Sequence, residues 1–107
     1  MARLELKEII TSPDSDTISG RATGEQYYKK CKVSEILDRN ENIVIVIDDN
    51  IVKAINDSFW KGFFKPIIFR YKTLKEFNKH VIIEANDFYR KSIEKNLHIL
   101  EAIYQSK

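Results

Sequence analysis

A single cysteine, Cys31, stands in 107 residues. No internal disulfide can form, and a reducing, cytoplasmic setting is the natural expectation. Glycine is scarce, and the three present, Gly20, Gly24 and Gly62, are too scattered to form a phosphate-cradling loop. His80 and His98 lie at no metal-ligand spacing from each other or from Cys31. There is no nucleophile elbow and no Ser/His/Asp set. These absences argue against an enzyme and imply neither metal nor cofactor. No apolar run approaches the ~20 residues that cross a bilayer. The opening residues, Met1 to Glu5, lack the uninterrupted apolar core of a signal peptide. The net charge of +2 carries no bias strong enough to indicate nucleic acid by itself.

What is present is an ordinary globular composition, 43% hydrophobic and 32% charged, which points to one compact domain over residues 1–107. Residues 3–10 alternate apolar Leu4 and Leu6 with polar Arg3, Glu5 and Lys7, the pattern of a strand with one wet face. Residues 11–20 read as a polar loop. A helix is expected from about Ala22 to Asp38, with Gly24, Tyr28 and Cys31 on one face and a bend or break near Ser34. The β-branched run Ile43 to Ile47 is apolar on both faces and reads as a central strand covered on both sides. A short extended return over 51–55 follows. The next helix opens at Ser58 and is expected to end before Pro66.

Thr73 can cap a short helix through Leu74, Phe77 and Lys79, with Glu76 in the reciprocal capping position. His80 to Ala85 reads as a strand. Asn86 or Asp87 caps a last helix whose stripe is Tyr89, Ile93, Leu97, Leu100 and Tyr104. Strands alternating with helices indicate an α/β layer.

The stretch Asn56-Asp57-Ser58-Phe59-Trp60 carries most of the functional signal. Asn56 or Asp57 is a good N-cap, because its side-chain oxygen accepts an otherwise unpaired backbone N–H. Ser58 then sits at a helix mouth, where N–H groups favour an anion. It either accepts a phosphoryl group or simply assists the cap. Phe59 and Phe63 are four apart, as are Trp60 and Phe64, so two aromatic lines run side by side. Core packing accounts for Phe59 and Phe63. Trp60, with Phe64, is the better candidate for partner contact, and Gly62 between them permits a neighbouring backbone to come close. Ile99 and Ile103 lie off the last helix's main stripe and form a second contact line. A homodimer held by Trp60 and Phe64, or by Ile99 and Ile103, is one expectation. Lysine-rich faces (Lys29, Lys30 and Lys32, then Lys61, Lys65, Arg70, Lys72, Lys75 and Lys79) leave a nucleic-acid-binding module as the alternative.

Ile43 to Asn50, "IVIVIDDN", is similar to the opening of a response-regulator receiver. That fold needs a later phosphoacceptor aspartate and a lysine beyond it, and the chain is too short to supply them.

Four segments carry a different likeness. They are Ser19-Gly20-Arg21 leading into Glu25-Gln26-Tyr27-Tyr28; Ile45-Val46-Ile47-Asp48; Asn56 to Phe64; and Phe77 to Ile83 followed by Asn86 to Ile93. In this order the chain resembles the small bacterial STAS-like family of unknown function, distantly similar to anti-sigma-factor antagonists. The likeness is strongest over residues 18–97. It implies a single STAS-like domain, a small mixed sheet of about four strands with helices packed on it. It also implies a regulatory module in which Asp57-Ser58 matches the dipeptide whose serine takes phosphate from a partner kinase, a histidine-kinase-like ATPase. Arg21 would lie on the partner-facing surface. Phe59 and Trp60 depart from the small residues that follow the serine in authentic antagonists.

Overall fold

The computed structural model describes residues 1–10 and 16–106, so the first half of the expected loop over 11–20 lies outside the described residues, and in its second half Thr17 and Ile18 form a short strand instead. The architecture is α/β. Strand β1 (Ala2–Glu5) runs into a 3₁₀ turn (Leu6–Ile9), and β2 (Thr17–Ile18) precedes α1 (Arg21–Lys30) and α2 (Val33–Asp38). Then come β3 (Ile43–Val46), β4 (Ala54–Ile55), α3 (Asp57–Tyr71), α4 (Leu74–His80), β5 (Val81–Glu84) and α5 (Asp87–Gln105).

Three strands form one parallel sheet in the order β1-β3-β5, and β2 pairs in parallel with β4 as a separate two-stranded ribbon. The expected mixed four-stranded sheet is thus two all-parallel sheets. Every strand is followed by helix or turn before its neighbour, so no hairpin can form and the pairing is parallel by default. Strand order follows chain order. Parallel crossovers are right-handed as a rule, and two in the same direction then place their helices on one face.

The register confirms this. Ala2, Ile43 and Val81 share a row, as do Leu4, Ile45 and Ile83, and the core is built on that face. The opposite face carries Arg3, Val44 and Ile82 in one row and Glu5, Val46 and Glu84 in the next. Val44 is buried but belongs to no part of the core cluster, while Arg3, Ile82 and Glu84 are exposed. The apolar run of β3 was expected to be covered on both sides. Helices cover one side, and on the other Val44 is flanked in register by Arg3 and Ile82.

The core centres on α3. Phe59, Trp60, Phe63, Phe64, Ile67 and Ile68 are all fully buried. Trp60 stacks on Phe64 at 4.9 Å and meets Phe59 edge-on at 5.1 Å; Phe64 meets Phe77 at 5.5 Å. This corrects the assignment of Trp60 and Phe64 to a partner surface. Two aromatic lines on one helix can both be buried when α1 and α5 pack on different sides of it, and they do. Trp60 Nε1–H has no partner among the described residues. An unpaired buried N–H costs ~1–3 kcal/mol, which burial of the indole offsets at a comparable ~1.5–3 kcal/mol.

Helix α3 does not end before Pro66 but continues through it to Tyr71. A proline inside a helix costs ~3 kcal/mol. Ending there would forfeit the burial of Ile67 and Ile68, each worth ~1.5–3 kcal/mol, so continuation wins. The break expected near Ser34 falls earlier, at Lys32, which takes a left-handed φ of 53° between α1 and α2. Thr73 caps α4 as expected, its Oγ1 accepting from Glu76 N–H at 3.2 Å. Glu76 does not reciprocate; its carboxylate turns to Lys79, and Glu101 from α5 takes the Leu74 N–H at 2.7 Å instead.

Candidate functional site

Helix α3 begins where β4 ends, and β4 is held by β2. Asn56 N–H donates to Ile18 O across that ribbon, which delivers residues 18–20 to the mouth of the helix. Asn56 is the N-cap. Its Oδ1 accepts from both Ser58 N–H (3.0 Å) and Ser58 Oγ–H (3.1 Å). The Ser58 hydroxyl also accepts from Gly20 N–H at 3.1 Å. Gly20 has φ +99°, a backbone conformation that favours glycine. Half-buried Ser58 thus joins three segments: the Gly20 turn, the Asn56 cap and α3 itself.

Asp57 faces the other way and is not a cap. Its carboxylate accepts from Asn96 Nδ2 (3.0 Å), Ser92 Oγ (3.3 Å) and Lys95 Nζ (3.4 Å), all on α5. The hydrogen bond from Asn96, helped by Lys95, holds this carboxyl below its ordinary pKa of 3.8. Adjacent residues therefore divide the work, Ser58 toward α1 and Asp57 toward α5. An acid held below its ordinary value contributes stability that is present above the unfolded pKa and lost as pH falls through the folded one. The urea midpoint of the wild type is expected to drop on acidification below about pH 4, and Asp57→Asn to show a shallower drop over the same window. Parallel slopes for the two proteins would contradict this.

Arg21 is exposed at the start of α1, next in sequence to Gly20, so it lies beside the Ser58 cluster. Its backbone packs on α3: a Cβ at Gly62 would overlap the Arg21 carbonyl oxygen. Ser58, Asn56 and Arg21 are thus brought together, while Asp57 is turned away to α5. Ile99 and Ile103 are exposed, at 37% and 42%, on the C-terminal half of α5, well along the helix from the residues that hold Asp57.

Sequence reasoning placed Gly20 at the helix entry and Gly24 on the helix face but missed what each does: Gly20 takes a positive φ and Gly24 lets α3 come close. Tyr27, rather than Tyr28, is the fully buried tyrosine of α1, and its hydroxyl donates to Glu5 O at 3.1 Å, with burial raising its pKa. On the basic faces, Arg70 pairs with Asp38 at 2.8 Å and Lys79 with Glu76 at 3.0 Å, while Lys65 lies over the Phe69 ring. His80 stacks on Tyr71 at 4.3 Å. Among the described residues no three His, Cys, Asp or Glu side chains converge as a metal site, and no helix is long and apolar enough to cross a membrane.

In comparisons with protein-family models, curated proteins and solved structures, nothing matches this chain.

Proposed function

We propose that this chain is a non-enzymatic regulatory or adaptor module, STAS-like in character, that binds a protein partner through the surface around Ser58. The partner belongs to a switching system with a kinase-like ATPase. The observation that carries this reading is the bonding of the Ser58 hydroxyl. It is a half-buried group that both donates to Asn56 and accepts from Gly20, at the N-terminus of the helix that organises the core. A phosphoryl group on that oxygen brings ~1.5–2 negative charges to a helix mouth that favours anions. It also removes the proton donated to Asn56 and crowds the Gly20 turn. The chemical change would be local, and its readout would be the conformation of residues 18–21, with exposed Arg21 next to the new charge.

Trp60 and Phe64 have no part in this surface, since both lie in the core. The contact region is instead Gly20, Arg21, Asn56 and Ser58, with Ile99 and Ile103 as a separate line. Co-expression with a kinase-like ATPase and ATP, read by intact mass, tests the reading. The wild type is expected to gain one phosphoryl mass that Ser58→Ala does not. Ser58→Asp is expected to release a partner that the wild type retains in a pull-down. Unchanged mass together with equal retention by wild type and Ser58→Asp would defeat the proposal.

A further inference from the structure

The outer edge of β5 carries no strand, and a groove of about 360 Å³ runs beside it, floored by Val81, Ile83, Ile93 and Leu97. Ile47 N–H donates to Glu84 O, so Glu84 and Ile82 bond inward to β3, and Val81 and Ile83 turn their N–H and C=O outward. Two of these four outward groups are already used. Val81 N–H closes α4 by donating to Phe77 O, and Ile83 O accepts from the Arg90 guanidinium. Val81 C=O and Ile83 N–H have no partner among the described residues.

These two groups flank Ile82 and set the direction of an added strand. An antiparallel residue exchanges both bonds with a single residue, so it would need the used N–H of Val81 or the used carbonyl of Ile83. A parallel residue donates to one strand position and accepts from the position two further on. Set beside Ile82, it donates to Val81 C=O and accepts from Ile83 N–H, and needs nothing already taken. The same register limits the strand's length. Two residues upstream, a carbonyl would need Val81 N–H; two residues downstream, an N–H would need Ile83 O. Three consecutive residues therefore fit, and a chain that ends on the third has no further N–H to leave unpaired. It ends in a carboxylate at the level of Ile83, where Arg90 stands. Arg90 is exposed and has no carboxylate partner among the described residues, and its bond to Ile83 O occupies only part of its donor fork.

We propose that this edge binds the carboxyl terminus of a partner polypeptide as a fourth, parallel strand, with three apolar residues at its end and the terminal carboxylate on Arg90. The first and third side chains fall in the rows of Val81 and Ile83 and enter the groove. The middle one lies beside Ile82, which is 42% exposed on the open sheet face. β-Branched apolar residues suit all three positions. Helix α5 starts where β5 ends and runs back along it, so Glu94, one turn beyond Arg90, borders the groove toward its upstream end. A basic residue just before the apolar three is complementary to it. This edge shares no residue with the Ser58 surface.

Amide-resolved NMR titration of the full chain with the peptide acetyl-Ser-Lys-Val-Ile-Val tests this. The free acid is expected to give saturable shifts centred on Ile83 N–H and the facing turns of α5. The carboxamide of the same peptide, and the acid N-methylated at its isoleucine so that the donor to Val81 C=O is lost, should each bind about tenfold or more weakly. Arg90→Gln keeps a side-chain donor for Ile83 O and removes the charge; it should bind the acid no better than the carboxamide. A nitroxide on the peptide's amino end should broaden the amides of Lys79 and His80 more than those of Glu84 and Ala85. No saturable shift at millimolar peptide, shifts centred away from β5, equal binding of acid and carboxamide, indifference to N-methylation or to Arg90→Gln, or broadening strongest at Glu84 would each overturn the proposal.

Discussion

Gly24→Ala and Gly62→Ala are each expected to destabilise the protein by at least about 2 kcal/mol, although alanine in an unobstructed helix would gain about 1. The two glycines are where α1 crosses α3. A Cβ at Gly24 would overlap the Phe59 carbonyl oxygen and stand 2.7 Å from Phe63 N; one at Gly62 would overlap the Arg21 carbonyl oxygen and stand 2.9 Å from its carbon. In both cases the obstacle is backbone, which cannot step aside as a side-chain tip can. Relief requires the helices to part, and parting them loosens the packing of Tyr27 on Phe63, whose rings are 5.7 Å apart. Urea denaturation of the single and double variants checks this. Because both methyl groups force the same separation, the double variant should lose less than the sum of the singles. Stabilisation by either substitution would mean that the crossing is looser than the geometry requires.

Trp60→Ala should cost ~3–5 kcal/mol, the range for deleting a large buried aromatic. The indole is fully buried between Phe59 and Phe64, so its removal leaves a cavity that two aromatic rings cannot collapse into without moving α3. Thermal unfolding by far-ultraviolet circular dichroism is the appropriate measurement. Trp60→Phe, which keeps an aromatic body and removes the unpaired indole N–H, should lose much less. If Trp60→Ala unfolded at the wild-type temperature while weakening partner binding, the side chain would be a surface group after all. If it lowered both, the binding loss would follow from unfolding.

The α5 stripe of Tyr89, Ile93, Leu97 and Leu100 is buried as its spacing dictates, and the side chains of Asn56, Thr73 and Asn86 cap the helices they precede. Local rules governed there because a cap or an amphipathic face is decided within a few residues. Trp60 was misjudged for the opposite reason. How much of a broad apolar helix face is left open depends on how many elements surround it, and no spacing within the helix reports that. Pro66 misled in the same way, since the reward for continuing α3 lies in the burial of Ile67 and Ile68 by distant elements. The pairing of β2 with β4 is two residues long and left no periodicity to find. At the site, the serine, its cap and the neighbouring arginine were all visible as residue types. That Ser58 bonds the Gly20 turn while Asp57 turns to α5 required the crossing of three helices to be known.

The sheet order has a kinetic consequence. Ala2 pairs with Ile43, and Ile43 with Val81, so each contact of the main sheet closes a loop of about forty residues. No two neighbouring strands of this sheet can zip from a turn. Their association must wait until the intervening helices have shortened the distance, and it carries the loop-closure entropy that slows folding of parallel topologies. β1 has no partner in this sheet until β3 follows, and β3 keeps one unpaired edge until β5 is made. The β-branched run Ile43 to Ile47, which has the low charge and high β-propensity of an aggregation-prone segment, thus waits with one open edge until β5 is made. Early docking of α1 on α3 through their glycines would shorten that interval, giving the crossing a role in the speed of folding as well as in the stability of its product.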